Sequence, residues 1–180
     1  MQKNSKLLNT TRVIAYTAVS TALVMVTTMI GIPFAQFYFN LGDTVILITS
    51  VLFGPITGLI AGGFGSFFAD MIVYPSTMFF TLIIKGIEGL ICGLLHLIVF
   101  KKTYSTKIQA FLSIIASLIS GIFMFSGYFI CNTFFYGTIT TALVALPMDA
   151  LQASISVALS FVILYVFRLI KIRDRLKLTA

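Results

Sequence analysis

Charge is scarce in this chain. Of its 180 residues 9% are charged, five of them acidic, against 59% hydrophobic. A soluble domain of that composition would expose large apolar patches, so a soluble globular protein is excluded and a polytopic membrane protein is expected. Histidine occurs once, at His96, and one imidazole provides no metal set. The two cysteines, Cys92 and Cys131, both fall inside apolar runs and read as small buried hydrophobes, not as a disulfide or a metal site. No G-x-x-x-x-G-K-[ST] phosphate loop is present, which excludes ATP hydrolysis by that means. Internal repeats, low-complexity tracts and a soluble domain are likewise not evident.

What charge there is lies in a pattern. Eleven of the twelve basic residues fall in three places: Lys3, Lys6 and Arg12; Lys101, Lys102 and Lys107; and Arg168 to Lys177. A surplus of +7 arranged this way reads as positive-inside loops flanking membrane spans, with attraction to the anionic lipid of the bilayer as a secondary effect. It forms no single basic face, so nucleic acid is not an expected partner.

Between the clusters the apolar runs predict six helices, over about 10–31, 41–53, 55–72, 77–100, 108–132 and 147–171. The first run follows three basic residues, as a secretory signal would. Its 18 apolar residues from Val13 to Ile30 extend about 27 Å, nearly a full span, and a retained helix is expected. On it Ala15, Ala18 and Ala22 share one face, which either packs inside the bundle or receives another helix. Residues 31–40, GIPFAQFYFN, read as an aromatic interfacial loop. The stretch from Asn40 to Asp70 contains no charge except Asp43 and Asp70 and breaks at Gly54-Pro55, so two helices meet at one turn and both acids lie at one membrane face. The first of these helices, roughly 20 Å, is too short to span unaided and must be buried by neighbours or lie in thinned bilayer. The second carries Gly58, Gly62, Gly65, Ser66 and Ala69, a set that permits close helix packing. In the fourth run Lys85, Glu88, Cys92 and His96 fall within an arc of about 80°, beside Gly86, Gly89 and Gly93.

Parity gives the topology. If all three basic clusters are cytoplasmic, the chain crosses four times before Lys101 and twice more before Arg168, with both termini inside. Asn40, Asp43, Asp70, Asn132, Asp149 and Gln152 then gather near the outer boundary, with Lys85 about 12 Å and Glu88 about 17 Å along their helix. Acids in apolar spans are costly and must face a bundle interior or a wet cavity. Lys85 and Glu88, at i and i+3, either neutralise each other or serve a ligand. His96, deeper, reads as a structural histidine.

NLGD, the LFGP turn, the glycines ending in GSFFAD, then YP and IIKGIEGLICGLL resemble the substrate-binding S component of energy-coupling factor (ECF) vitamin transporters. The likeness covers about residues 38–100 closely and is nearest to the hydroxymethylpyrimidine or pyridoxine subgroup, with another B vitamin such as riboflavin as a further alternative. It implies an all-α, six-helix, multi-pass bundle in a bacterial cell membrane. Binding, not enzymatic, it would hold a vitamin near the outer face and need no cofactor. It also implies that Ala15, Ala18 and Ala22 dock on a transmembrane coupling subunit (the T component), while two separate ATPase subunits supply energy. For a small heteroaromatic vitamin, Glu88 would accept from a hydroxyl or amine, Lys85 would donate, and Asn132 and Gln152 would do either. Asn40 belongs to the same group. Asp149 and Asp43 either join it or cap the helices they begin. The chain has no tryptophan, unlike several relatives, so stacking falls to Tyr128, with Tyr38 or Phe39 closing the pocket from the loop. Two rival readings are an intramembrane aspartyl protease using Asp43 and Asp70, which lacks the G-x-G-D pattern, and a small channel, which lacks a selectivity sequence.

Overall fold

The computed structural model describes residues 2–34, 37–101 and 105–176, with side chains described over 10–31, 40–100, 105, 107–135 and 137–173. Among the described residues the first six helices in chain order are α1 Gln2–Met29, α2 Gly42–Phe53, α3 Pro55–Val73, α4 Met78–Lys101, α5 Thr106–Tyr136 and α6 Ile139–Phe161. Among the described residues, five are long and apolar enough to cross a membrane, and α2 is the exception. Its 12 residues extend about 18 Å. Nine of those 12 are buried, because α1, α3, α4 and α6 surround it. The short apolar helix is therefore the centre of the bundle.

Gly54, at φ 92°, makes the turn from α2 into α3, a conformation that a side chain would strain. Pro55 follows at the first turn, where its missing N–H costs no hydrogen bond. The glycines of α3 and α4 bring those two backbones together: a Cβ at Gly62 would stand 2.6 Å from the Lys85 carbonyl oxygen, and one at Gly89 would run into the Gly58 carbonyl. Here the small residues serve packing within the bundle. On α1, Ser20 and Val24 are buried against the bundle and Tyr16 stacks on Phe53 at 4.9 Å between ring centroids. Ala15, Ala18 and Ala22 lie on the opposite face, exposed.

Three expectations are corrected. The segment 31–40 is not simply a loop: Ile32–Phe34 (β1) and Phe37–Phe39 (β2) pair antiparallel, Ile32 opposite Phe39. Helix α5 continues to Tyr136 and ends at Gly137, which takes the left-handed conformation common just past a helix end. Then α6 starts at Ile139, so Pro147 lies inside it and does not open it. A proline within a helix removes one donor, here to the Leu143 carbonyl, but membrane helices tolerate this where neighbours compensate. At its other end α6 stops at Phe161. A π-helical turn, Val162–Val166, closes with Phe167 N–H donating to the Val162 carbonyl at 3.1 Å, Arg168 reverses the chain at φ 59°, and α7 covers Ile170–Leu176.

Candidate functional site

The head of α2 organises the polar residues. Asn40 Oδ1 accepts from the Gly42 N–H at 2.9 Å, so asparagine, and not Asp43, makes the local side-chain bond there. Asp43, in the first turn, is turned inward instead of capping. One of its oxygens accepts from Lys85 Nζ, and the other from Gln152 Nε2 at 2.8 Å. Lys85 Nζ also lies 3.5 Å from Glu88 Oε2. The lysine thus neutralises two acids from two helices, not Glu88 alone. Lys85, Glu88 and Asp43 are 4%, 1% and 1% exposed, and charges so deeply buried persist only when paired. Gln152 extends the arrangement: its Oε1 accepts from the Asn40 backbone N–H at 3.3 Å, which ties α6 to the end of the β hairpin.

Above this floor lies a cavity of about 420 Å³. Thr28 and Met29 close α1 against it, and α3 adds Ser66, Ala69, Asp70 and Val73. Thr81 and Lys85 come from α4, Tyr128, Cys131 and Asn132 from α5. Helix α6 gives a full stripe, Thr141, Val144, Ala145, Met148, Asp149 and Gln152, at the i, i+3, i+4 spacing of one helix face. Every long helix contributes its end on the Asp43 side.

Of the residues anticipated from sequence, Asn40, Lys85, Tyr128, Asn132, Asp149 and Gln152 line this one cavity. Glu88 does not: it lies beneath Lys85. The side chains of Tyr38 and Phe39 lie outside the described residues. Asp149 is the eleventh residue of α6, so it cannot cap that helix. Tyr128 is less free to stack than expected, since Lys85 Nζ stands 5.2 Å from its ring centroid and its hydroxyl donates to Thr81 Oγ1 at 3.3 Å. Thr81 Oγ1 in turn donates to Asp70 Oδ2 at 2.5 Å. Sequence reasoning missed Thr81 and, on α6, Thr141, Val144 and Ala145 as lining. The second omission follows from starting α6 at Pro147; the spacing of Thr141, Ala145 and Asp149 was there to be read. His96 lies towards the other end, buried, its Nδ1 2.8 Å from the Cys92 carbonyl.

An aspartyl dyad needs two carboxylates close enough to share a proton. Asp43 is bonded by Lys85 and Gln152 and Asp70 by Thr81, an arrangement that does not favour the protease reading. Apolar helices around a partly polar cavity form an arrangement that suits a small-molecule site within a membrane protein. A profile of the family described as "ECF-type riboflavin transporter, S component" matches residues 8–170, and the chain belongs to that family. A protein of Pyrococcus woesei described as "Uncharacterized protein in gap 3'region" is 56% identical over 73 residues, 39% of this chain. The match covers 49% of that relative, so the chain spans about half of its length.

Proposed function

We propose that this chain is the substrate-binding S component of an ECF vitamin transporter, which captures a small vitamin or vitamin precursor in the cavity above Lys85. The cavity carries the reading: about 420 Å³ at one end of an apolar bundle is a size suited to a small ligand, walled by a few placed polar groups among apolar ones. Hydroxymethylpyrimidine is the first candidate and pyridoxine the second. The matched family's description supplies riboflavin as a rival substrate.

The Asp43 end then faces outward in the cell membrane, with six crossings and both termini cytoplasmic, as the basic clusters require. Cysteine placed at Ser76 should label from outside, and cysteine at Tyr104 should not; the reverse pattern would invert the orientation. The exposed Ala15, Ala18 and Ala22 are the docking face for a transmembrane coupling subunit, and two partner ATPases drive uptake. The chain itself performs no reaction. Its test is mass spectrometry of detergent-purified protein: one vitamin-sized molecule per chain is expected, and protein that neither carries nor binds any vitamin would contradict the proposal.

A further inference from the structure

At the Phe53 end the helices do not reach equally far. Gly93 of α4 lies so close to the α2–α3 turn that a Cβ there would run into Pro55, and α4 runs on from that point to Lys101, about 12 Å further. The turn therefore stops short of the end of α4. Helix α7 takes up the difference: it packs under α2, and Leu169 and Ile170 at its head lie against the core of Leu47, Val51 and Leu52, as Phe53 and Phe100 do.

The charges of α7 are arranged against expectation. Basic side chains beside a span turn to water or to lipid head groups, as Lys171 does, but Arg173 is turned in and is 8% exposed. Its guanidinium lies 3.6 Å over the Phe100 ring, that ring stacks on His96 with centroids 6.2 Å apart, and His96 Nδ1 is 3.6 Å from Cys92 Sγ. Cys92, His96 and Phe100 stand at i, i+4 and i+8, so Arg173 caps the inward face of α4. Beneath that cap His96 Nε2 is buried with no hydrogen-bond partner among the described residues, a group that water satisfies once the cap lifts.

The chain that leads into α7 is irregular twice within seven residues. Val162–Val166 form a π-helical turn, and Arg168 takes φ 59°, a conformation that a residue with a side chain adopts at a cost. Upstream the chain is held to α5, since Tyr165 is bonded to Ser113 at 2.5 Å. We propose that α7 is a hinged strap which closes the Phe53 end of the bundle, with Arg173 on Phe100 as its latch, and that its release admits water along α4 to His96 and Cys92. The strap leaves the bundle open on the cavity side alone. It is independent of which molecule the cavity takes.

The two cysteines of the chain report on the two ends, Cys92 under the strap and Cys131 on the cavity wall. N-ethylmaleimide modification of the purified full chain, followed by peptide mass spectrometry, gives a rate for each. Arg173→Ala should speed modification of Cys92 by about tenfold, the worth of a desolvated cation–π contact, and leave Cys131 at its wild-type rate. Phe100→Leu should do the same, and the double variant should add little to either, because both remove one contact. An unchanged Cys92 rate in Arg173→Ala overturns the proposal, and so does an equal rise at both cysteines, which would mean general loosening. If the variants do not fold, hydrogen exchange of the wild type decides: α7 should exchange by an opening of its own, faster than the α4 amides around Cys92 and slower than a free peptide. Exchange of α7 in step with α4, or at the free-peptide rate, would show that no separate strap is docked there.

Discussion

At the Asp43 end, Asn132 and Asp149 face a cavity and make no side-chain hydrogen bond among the described residues. At the Phe53 end the described polar groups face packed side chains and no cavity of this size, and several of them contact one another. Ser113 and Tyr165 lie 2.5 Å apart, His96 meets the Cys92 carbonyl, and the Arg173 guanidinium sits 3.6 Å over the Phe100 ring. Leu47, Val51, Leu52, Cys92, Val157 and Leu164 pack around that end as a continuous core. Both ends bury titratable residues in an apolar span, where each is by default a functional candidate. The difference lies in what they face, and it separates a site from a structural seal.

The small residues make the same point. Glycines on α3 and α4 and alanines on α1 share the i, i+3, i+4 spacing that lets helices approach. The glycines are used up within the bundle, most of them between α3 and α4 and Gly65 against Thr21 and Val24 of α1, while Ala15, Ala18 and Ala22 stay open. Spacing shows that a close approach is possible; only the fold shows whether the partner is already present.

The largest effect is expected from breaking the floor. Lys85→Ala leaves Asp43 and Glu88 buried without their cation, a loss of about 3 to 5 kcal/mol that should lower the melting point sharply and abolish ligand binding. Adding Asp43→Asn should restore part of the stability. A Lys85→Ala protein that melts like the wild type would mean that the floor is not held by charge.

Next comes the pair of small-residue stripes. Gly62→Leu must displace the Lys85 backbone and should cost about 1 to 3 kcal/mol, read by thermal melting. Ala18→Trp, on the open face, should change stability by no more than about 0.5 kcal/mol and keep ligand binding, yet lose copurification with the coupling subunit and uptake in cells. Loss of binding in Ala18→Trp would instead place that face inside the bundle's own packing.

Much of this was legible in the sequence. The acids at the two ends of 43–70 do lie at one end of the bundle, and α2, too short to span, is buried by its neighbours. The stripe of Lys85, Glu88, Cys92 and His96 faces inward. Three things were not legible. A proline usually marks a helix boundary in water, but within a bundle its missing donor is tolerated, so Pro147 hid the first two turns of α6 and with them half of its cavity face. The partners of Asp43 come from residues 42 and 109 positions away, which no local pattern encodes. Lys85 and Glu88 are neighbours on one helix face, yet the lysine reaches the cavity and the glutamate does not, because Glu88 lies nearly one turn further along α4 from the cavity end.

The claim on which all else depends is that the small molecule sits at the Asp43 end. It is tested most directly by measuring ligand retention and affinity in folded Asn132→Ala and His96→Ala side by side. Asn132→Ala should lose about 5- to 150-fold in affinity, the worth of one buried polar contact, and His96→Ala should bind as the wild type does. Normal binding by Asn132→Ala together with loss in His96→Ala would put the site at the opposite end of the bundle and contradict the account.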